Sequence, residues 1–540
     1  MALYRLLDVL PALSGDHRIT RRFTLVPGSD YDTDTLAAID ALGGRTVPWA
    51  EACERPYDLI VTASPKGDLH LLHGPHVLLP HGAGFNKSIP GEGSADSASG
   101  LDPEFLRRAA RHEGAPIALH ALAHPDQVAT VTAVDPSAAS RAKVIGDLTL
   151  ERVLASSPLR DRYRTALGTG ARTLLVLTST WGPESLIRRH PELPARLARQ
   201  LPYDEYQLAL VIHPNERSLL GTYELTERLA PALDAGMILA GAHDEWASAL
   251  IAADALVTDH GSAALYYCAA EDRPVVSVHG GGGELIPGSP MAVLLDRVPQ
   301  LERAENIIEA LRAYRPGSGK AAAEAAFAPP GDAVERLRTE VYALLGLTPP
   351  PHSAVPRPLP VPAPSRRTPV AFDVHVEATE NDGLRITRHP VGTGGPPGHH
   401  LAVEHGAAGE QLARSASLLF RRTNPTPTPT PAPVDLTWTA DGWTRHTLSA
   451  YPNCRAAAAL LPSGGSLLRI RGHEQPYTVR AQPLTEGERI VRLDPAVALS
   501  AAYARLLARP DEPALNCHVG ERTFHITIRP ATETETTAAI

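Results

Sequence analysis

Cysteine is scarce: the 540-residue chain holds four, at Cys53, Cys268, Cys454 and Cys517. They are scattered without the spacing of a disulfide framework or a zinc site, and that usage suits a reducing cytoplasm. Long apolar runs are missing too. No uninterrupted stretch approaches the roughly 18 residues of a membrane-spanning helix, and the opening MALYRLLDVLPAL has neither a basic leading region nor a cleavage motif. The expectation is a cytoplasmic chain that meets a membrane, if at all, peripherally from its inner face. Positive charge is not in excess either. A formal net charge of -9 argues against binding nucleic acid through bulk charge, because neutralising phosphates takes clustered Lys and Arg. An anionic ligand must therefore be held locally. Two nucleotide signatures are absent as well. The glycine run HGGGGE at 279–284 has no Lys-Ser/Thr behind it and so is not a P-loop, and no GxGxxG opens the first helix, which weakens a nicotinamide reading. No cofactor is expected.

What the chain does have is alternation. Its length exceeds what one hydrophobic core usually supports, so two or three domains are expected. Up to about residue 150, short aliphatic runs (RFTLVPG at 22–28, YDLIVTAS at 57–64, HVLLPHG at 76–82) alternate with helical patterns such as TLAAIDALGG at 35–44. That is the pattern of parallel strands with crossover helices. A polar helical stretch at 146–168 reads as the connection to a second such unit, in which RTLLVLTSTWG (172–182), YQLALVIHPN (206–215), MILAG (237–241), DALVTDHG (254–261) and PVVSVHGG (274–281) predict five buried strands. The helical segment 332–347 closes it. The predicted architecture is α/β: two Rossmann-like lobes, 1–150 and 151–347, an extended Pro-rich linker at 348–369, and a β-rich domain at 370–540. In the last, AFDVHVEAT, GLRITRHP, VDLTWTADGWTRHTL and FHITIRP alternate apolar and polar residues, and Asp441-Gly442 falls where a two-residue hairpin turn would. The Pro-Thr stretch NPTPTPTPAP at 424–433 reads as a disordered loop.

Ligands of doubly wound sheets sit outside the strand C-termini, and four strand ends here carry polar chemistry. In VTDHGSAAL, Asp259, His260, Gly261 and Ser262 turn from a strand into a helix that Ser262 can cap, so the helix N-terminus can receive a phosphate; ordinary capping explains the same residues. In LLPHGAGFNK, His81 stands at a strand end among small residues, where an imidazole can act as general base, and Lys87 can hold an anion. In VIHPN, Pro214 stops strand pairing, and His213 with Arg217 can grip a diphosphate. In TSTWG, Ser179 and Thr180 can touch a ligand or cap the next helix. A metal site from His70, His73, His76 and His81 is set aside: the last two bracket a strand and no acidic residue is spaced to complete the set.

Taken in order, these motifs resemble those of the CDP-glycerol glycerophosphotransferase family, GT-B-fold enzymes that polymerise teichoic-acid-like chains. The resemblance covers roughly residues 1–345. It implies His81 in LLPHGAGFNK as the catalytic base, His213 and Pro214 in VIHPN at the donor phosphates, and Asp259, Ser262, Arg273 and Pro274 in TDHGSAALYYCAAEDRPVV at the nucleotide. Departures are His260 and Gly261 in place of Tyr and Ser, Arg273 in place of Lys, and Lys87 one position farther from the His-Gly. The implied activity is a metal-independent glycosyl- or glycerophosphotransferase for cell-envelope polymer synthesis. Its partners would be a nucleotide-activated donor like CDP-glycerol and a hydroxyl acceptor, polymeric or lipid-linked. Two alternatives stay open: a nucleotide-sugar epimerase of the same architecture, for which Asp259, Glu184 and Glu284 are the available carboxylates, and a non-catalytic nucleotide- or polymer-binding protein.

Overall fold

The computed structural model describes residues 2–27, 32–65, 67–88, 98, 101–104, 106, 117–241, 245–363, 367–379, 382–392, 398–422, 437–509 and 514–540. The first lobe is built on a four-stranded parallel sheet of β1 (Ile60–Thr62), β2 (His76–Leu78), β3 (Ile117–Leu122) and β4 (Ala142–Val144), in that spatial order. The strand predicted at 22–28 is absent among its described residues. Only Phe23 bridges, to Thr46, because this segment is half exposed and Pro27 has no N–H to donate.

All five strands predicted for the second lobe form: β5 (Thr173–Ser179), β6 (Tyr206–Ile212), β7 (Ile238–Leu239), β8 (Ala255–Thr258) and β9 (Val275–Ser277), parallel in the order β7-β6-β5-β8-β9. Their side chains divide with period two between two cores. Leu174, Val176, Ala209, Val211 and Leu256 face one, and Leu175, Leu177, Leu208, Leu210 and Val257 face the other. Helices cover both faces, which is why these strands read as unbroken apolar runs. The winding reverses between β5 and β8, so the loops leaving these neighbours diverge and open a crevice at their C-terminal ends.

After the second sheet the chain crosses back. Helix Ala333–Leu344 packs Leu337, Val341 and Tyr342 against Val77, Leu79 and Leu119 of the first lobe. The Pro-rich segment then runs extended across both lobes. His352 contacts the Ser14 carbonyl (3.0 Å), the Leu359 N–H donates to Ser156 Oγ (2.9 Å), the Tyr163 hydroxyl donates to the Leu359 carbonyl (3.0 Å), and Ser248 donates to the Pro360 carbonyl (2.6 Å). It is a strap held at many points rather than a free tether.

The C-terminal domain is a closed nine-stranded barrel: β10 (Ala371–Ala378), β11 (Leu384–Pro390), β12 (His400–Glu404), β13 (Leu418–Arg421), β14 (Ala456–Leu460), β15 (Ser466–Ile470), β16 (Tyr477–Ala481), and then β19 (Ala514–Val519) and β20 (Arg522–Pro530), with a separate hairpin of β17 (Leu484–Glu486) and β18 (Arg489–Val491). Helix Pro495–Ala508 is buried on every side from Ala496 to Leu506 and packs on the inward faces of the strands, filling the barrel. The hairpin predicted at Asp441-Gly442 is instead the first turn of helix Ala440–Ala450. Thr439 Oγ1 accepts from the Gly442 N–H (3.1 Å) and Asp441 sits at the positive end of the helix, so the capping signal outweighs the Asp-Gly turn signal. The stretch 424–433 lies outside the described residues. The barrel docks through Arg388, whose buried guanidinium pairs with Asp204 (2.6 Å) and Asp494 (2.8 Å), and through the Tyr203 N–H bonded to the Arg388 carbonyl (3.0 Å). Tyr203 and Asp204 precede β6, so the barrel sits at the end of the central sheet opposite the crevice. Among the described residues no helix is long and apolar enough to cross a membrane.

Candidate active site

His81 lies just past β2, after Leu79 and Pro80. Its Nδ1 lies 2.7 Å from the Ala63 carbonyl at the end of β1, and since a carbonyl only accepts, Nδ1 carries the hydrogen. The neutral ring then has its lone pair on Nε2, the form a general base requires. The adjoining Gly82 meets the second lobe: a Cβ there would stand 3.3 Å from Ser262 Oγ. The His-Gly turn of one lobe thus abuts the Asp-His-Gly-Ser turn of the other.

His213 ends β6 and is the N-cap of helix Pro214–Asp234. Its Nδ1 accepts from the Asn215 N–H at 3.1 Å, which fixes the opposite tautomer, with the hydrogen on Nε2. Burial holds its pKa well below the ordinary histidine range, and the charge of Lys87 pushes the same way. His213 is therefore a neutral hydrogen-bond donor beside a histidine set up as acceptor, and the two come from opposite lobes.

Between the lobes runs a buried latch. Lys87 Nζ pairs with Glu284 Oε2 at 2.9 Å, donates to the Trp181 carbonyl and stands 4.4 Å over the Trp181 ring. Glu284 also accepts from His260 Nε2 at 3.0 Å. Around it, the Ser88 N–H donates to the Glu284 carbonyl (2.7 Å), the Ile286 N–H to the Asn86 carbonyl (2.9 Å) and the Met291 N–H to Asn86 Oδ1 (3.0 Å). The ammonium read from sequence as an anion holder is thus already paired with a carboxylate, and the whole segment 86–88 is stitched to 284–291.

Asp259 organises the loops around the crevice. One carboxylate oxygen accepts from the N–H groups of Thr180 and Leu186 and the other from Gly261, all at 2.8 Å. Burial pushes its pKa up to about 6 against the pull of these three donors. It ties the ends of β5 and β8 together. Thr180 is held through its backbone, and Ser179 Oγ accepts from the Ile187 N–H (3.3 Å), the capping role that sequence left open. Ser262 occupies the N-cap position of helix Ala263–Ala270 but makes no side-chain cap bond. The cap expected of it is absent, and its hydroxyl lies instead against Gly82.

Two arginines donate to backbone carbonyls. Arg217 donates to the Ala240 carbonyl at the end of β7. Arg273 donates to the carbonyls of Ile251 (3.3 Å) and Ala253 (2.7 Å), past the far end of the helix that begins at the Asp-His-Gly-Ser turn. His70, His73 and His76 are not gathered with His81 into a ligand set among the described residues; the cluster with metal-ligand chemistry is Glu184, His260 and His279. Sequence reading also passed over Glu216, one turn into the helix capped by His213. It is fully buried, accepts from the Gly182 N–H (3.2 Å) and pairs with Arg188 (2.7 Å). Its only signal was an acidic residue in a helix's first turn.

No family model matches the chain, and no curated protein matches it. Solved structures similar to it include the wall teichoic acid polymerase TagF (13% identity over 63% of this chain and 85% of that one, TM-score 0.46), Anabaena Alr3699/HepE in complex with UDP-glucose (14%, 63% and 95%, 0.35) and S. aureus MnaA with UDP (10%, 65% and 95%, 0.40).

Proposed function

We propose that the protein is a transferase that moves a group from a nucleotide-activated donor to a hydroxyl acceptor in the crevice between its two lobes, with a CDP-glycerol-like donor and a cell-envelope polymer as product. The observation that carries this reading is the pair of opposed backbone anchors on the two lobes: His81 Nδ1 donates to the Ala63 carbonyl and His213 Nδ1 accepts from the Asn215 N–H, which in neutral rings puts the lone pair on His81 Nε2 and the hydrogen on His213 Nε2. In this mechanism the acceptor hydroxyl attacks the donor's β-phosphorus while His81 Nε2 takes its proton. The new bond is acceptor oxygen to phosphorus; the bond that breaks joins that phosphorus to the oxygen bridging to CMP, which leaves. His213 donates to a phosphate oxygen as charge grows there, the kind of fixed polarity that usually supplies the largest share of catalysis. Ser262 and the backbone of its turn flank the same space. The resemblance in LLPHGAGFNK and VIHPN leads to the same assignment. Epimerisation fits less well, since Asp259 is held by three N–H groups and Glu284 by Lys87 and His260.

Calorimetric titration with CDP, UDP, GDP and ADP tests the proposal. One nucleotide should bind selectively, and His213→Ala and Ser262→Ala should weaken it. His81→Ala should leave that affinity within a few-fold and lower turnover on an acceptor by about 10²- to 10⁴-fold, the contribution of a general base. Failure of the wild type to bind any of the four would overturn the reading.

A further inference from the structure

Three loops at the crevice converge on a second group of side chains that the transfer chemistry does not use. Glu184 lies in the loop after β5, His260 in the turn after β8 and His279 just beyond β9, and one ligand-capable atom from each lies within 4.8 Å of the other two. The imidazole rings of His260 and His279 are 5.0 Å apart between centroids. Among the described residues neither Nδ1 has a hydrogen-bond partner although both atoms are buried, and His260 as a whole is only 1% exposed. A buried polar atom without a partner is costly and native structures rarely keep one without a use.

The surroundings select which nitrogen is left over. His260 Nε2 is 3.0 Å from Glu284 Oε2; with the carboxylate accepting, the hydrogen sits on Nε2 and the lone pair on Nδ1. A carboxylate behind the far nitrogen of a histidine is the usual way proteins orient a metal ligand. Glu184 is fixed as well: its Oε1 accepts from the Gly283 N–H (2.8 Å), its Oε2 from the Glu284 N–H (3.3 Å), and Arg189 lies 3.6 Å away. Each carboxylate oxygen keeps a second lone pair for coordination.

We propose that Glu184, His260 and His279 form a binding site for one divalent transition-metal ion of the zinc type, with Glu284 orienting His260 from behind. Two imidazoles and a carboxylate are the donors such ions prefer, and three protein ligands leave a coordination position for water or a ligand oxygen. The ion would pin the loops after β5, β8 and β9 to one another and, through Glu284, to Lys87 of the first lobe. This inference is independent of the transferase reading, since its test involves neither nucleotide nor acceptor.

The test is calorimetric titration of Zn²⁺ into the chelator-treated, tag-free full-length protein, with Co²⁺ absorption as a reporter of coordination. The wild type should take up a single tight equivalent. His279→Ala, at a partly exposed position, and Glu184→Gln should each lose on the order of 100-fold in affinity, and the Lys87→Met/Glu284→Gln double variant, which removes the orienting carboxylate without stranding the Lys87 charge, about 10- to 100-fold. Circular dichroism checks that each variant is folded. No tight equivalent in the wild type, or the same tight binding in a folded His260→Ala/His279→Ala double variant, would overturn the proposal.

Discussion

The Lys87–Glu284 latch gives the sharpest test of how the two lobes are held. Both side chains are nearly buried, 9% and 5% exposed, and 2.9 Å apart. At an effective dielectric constant of about 20 two unit charges at that distance attract by about 6 kcal/mol, most of which is offset by removing them from water. Deleting one partner is a different matter, because it strands the other as a buried charge at a cost of about 3–5 kcal/mol. Lys87→Met leaves Glu284 with His260 as a side-chain partner; Glu284→Gln leaves the ammonium, among the described residues, with neutral partners such as the Trp181 carbonyl and ring. For a lobe of this size either loss lowers the midpoint of unfolding by on the order of 10 °C. The double variant, Lys87→Met/Glu284→Gln, strands no charge and should fall well short of the sum of the singles. Scanning calorimetry of the four proteins measures both quantities. Single variants that each shift the transition by less than about 2 °C, with effects that simply add, would refute the latch, since that is how an exposed pair behaves.

The remaining expectations concern the rest of the chain. Cys268, Cys454 and Cys517 are buried, with the thiols of Cys268 and Cys517 pushed up to about 12 by burial, so a thiol reagent should label at most Cys53 in the native protein and all four cysteines after unfolding. Burial alone would raise the pKa of Asp494, but the guanidiniums of Arg388 and Arg422 outweigh it and hold the carboxylate well below its usual range. Its contribution is therefore present above the ordinary carboxylate pKa and lost as pH falls below it; the barrel's unfolding midpoint should drop through that acid range, and less steeply in Asp494→Asn. Arg388→Met strands Asp204, while Asp494 keeps Arg422, and should cost about 3–5 kcal/mol, read as a lowered barrel transition at neutral pH. A chain ending after residue 369 should keep both lobes folded, whereas one ending after residue 347 should melt several degrees lower. The shorter chain loses buried Leu359, worth about 2 kcal/mol, and the acceptor of the Tyr163 hydroxyl.

How much of this could be read in advance depended on the range of the interaction. The five strands of the second lobe were legible because burial on both faces makes each one an unbroken apolar run, a signal contained within a few consecutive residues. The segment at 22–28 had a similar composition but too little burial to become a strand. At 441–442 two local signals competed, and Thr439 with its cap bond won over the Asp-Gly pair. The barrel's alternating strands were visible, yet nothing local announced that they close on themselves around helix Pro495–Ala508. Closure is a property of pairings such as β10 with β12 and β11 with β19, which join segments far apart in sequence.

The same division runs through the site. A strand ending in His-Gly or His-Pro is a local event, and the structure puts His81 and His213 at those ends with tautomers fixed by the nearest backbone, a carbonyl for one and an N–H for the other. Which charges would be used up inside the protein was not a local matter. Lys87 looked available for an anion, and Asp259 for a nucleotide, until the fold supplied Glu284 from nearly two hundred residues away and three converging N–H groups. Sequence therefore tends to overstate the ligand-binding role of charged residues at strand ends, because it shows the charge and not the partner. Histidines are less subject to this error. A neutral imidazole anchored by the backbone has used one of its two nitrogens, whereas the Lys87 ammonium is neutralised by a carboxylate and the Asp259 carboxylate already accepts from three N–H groups.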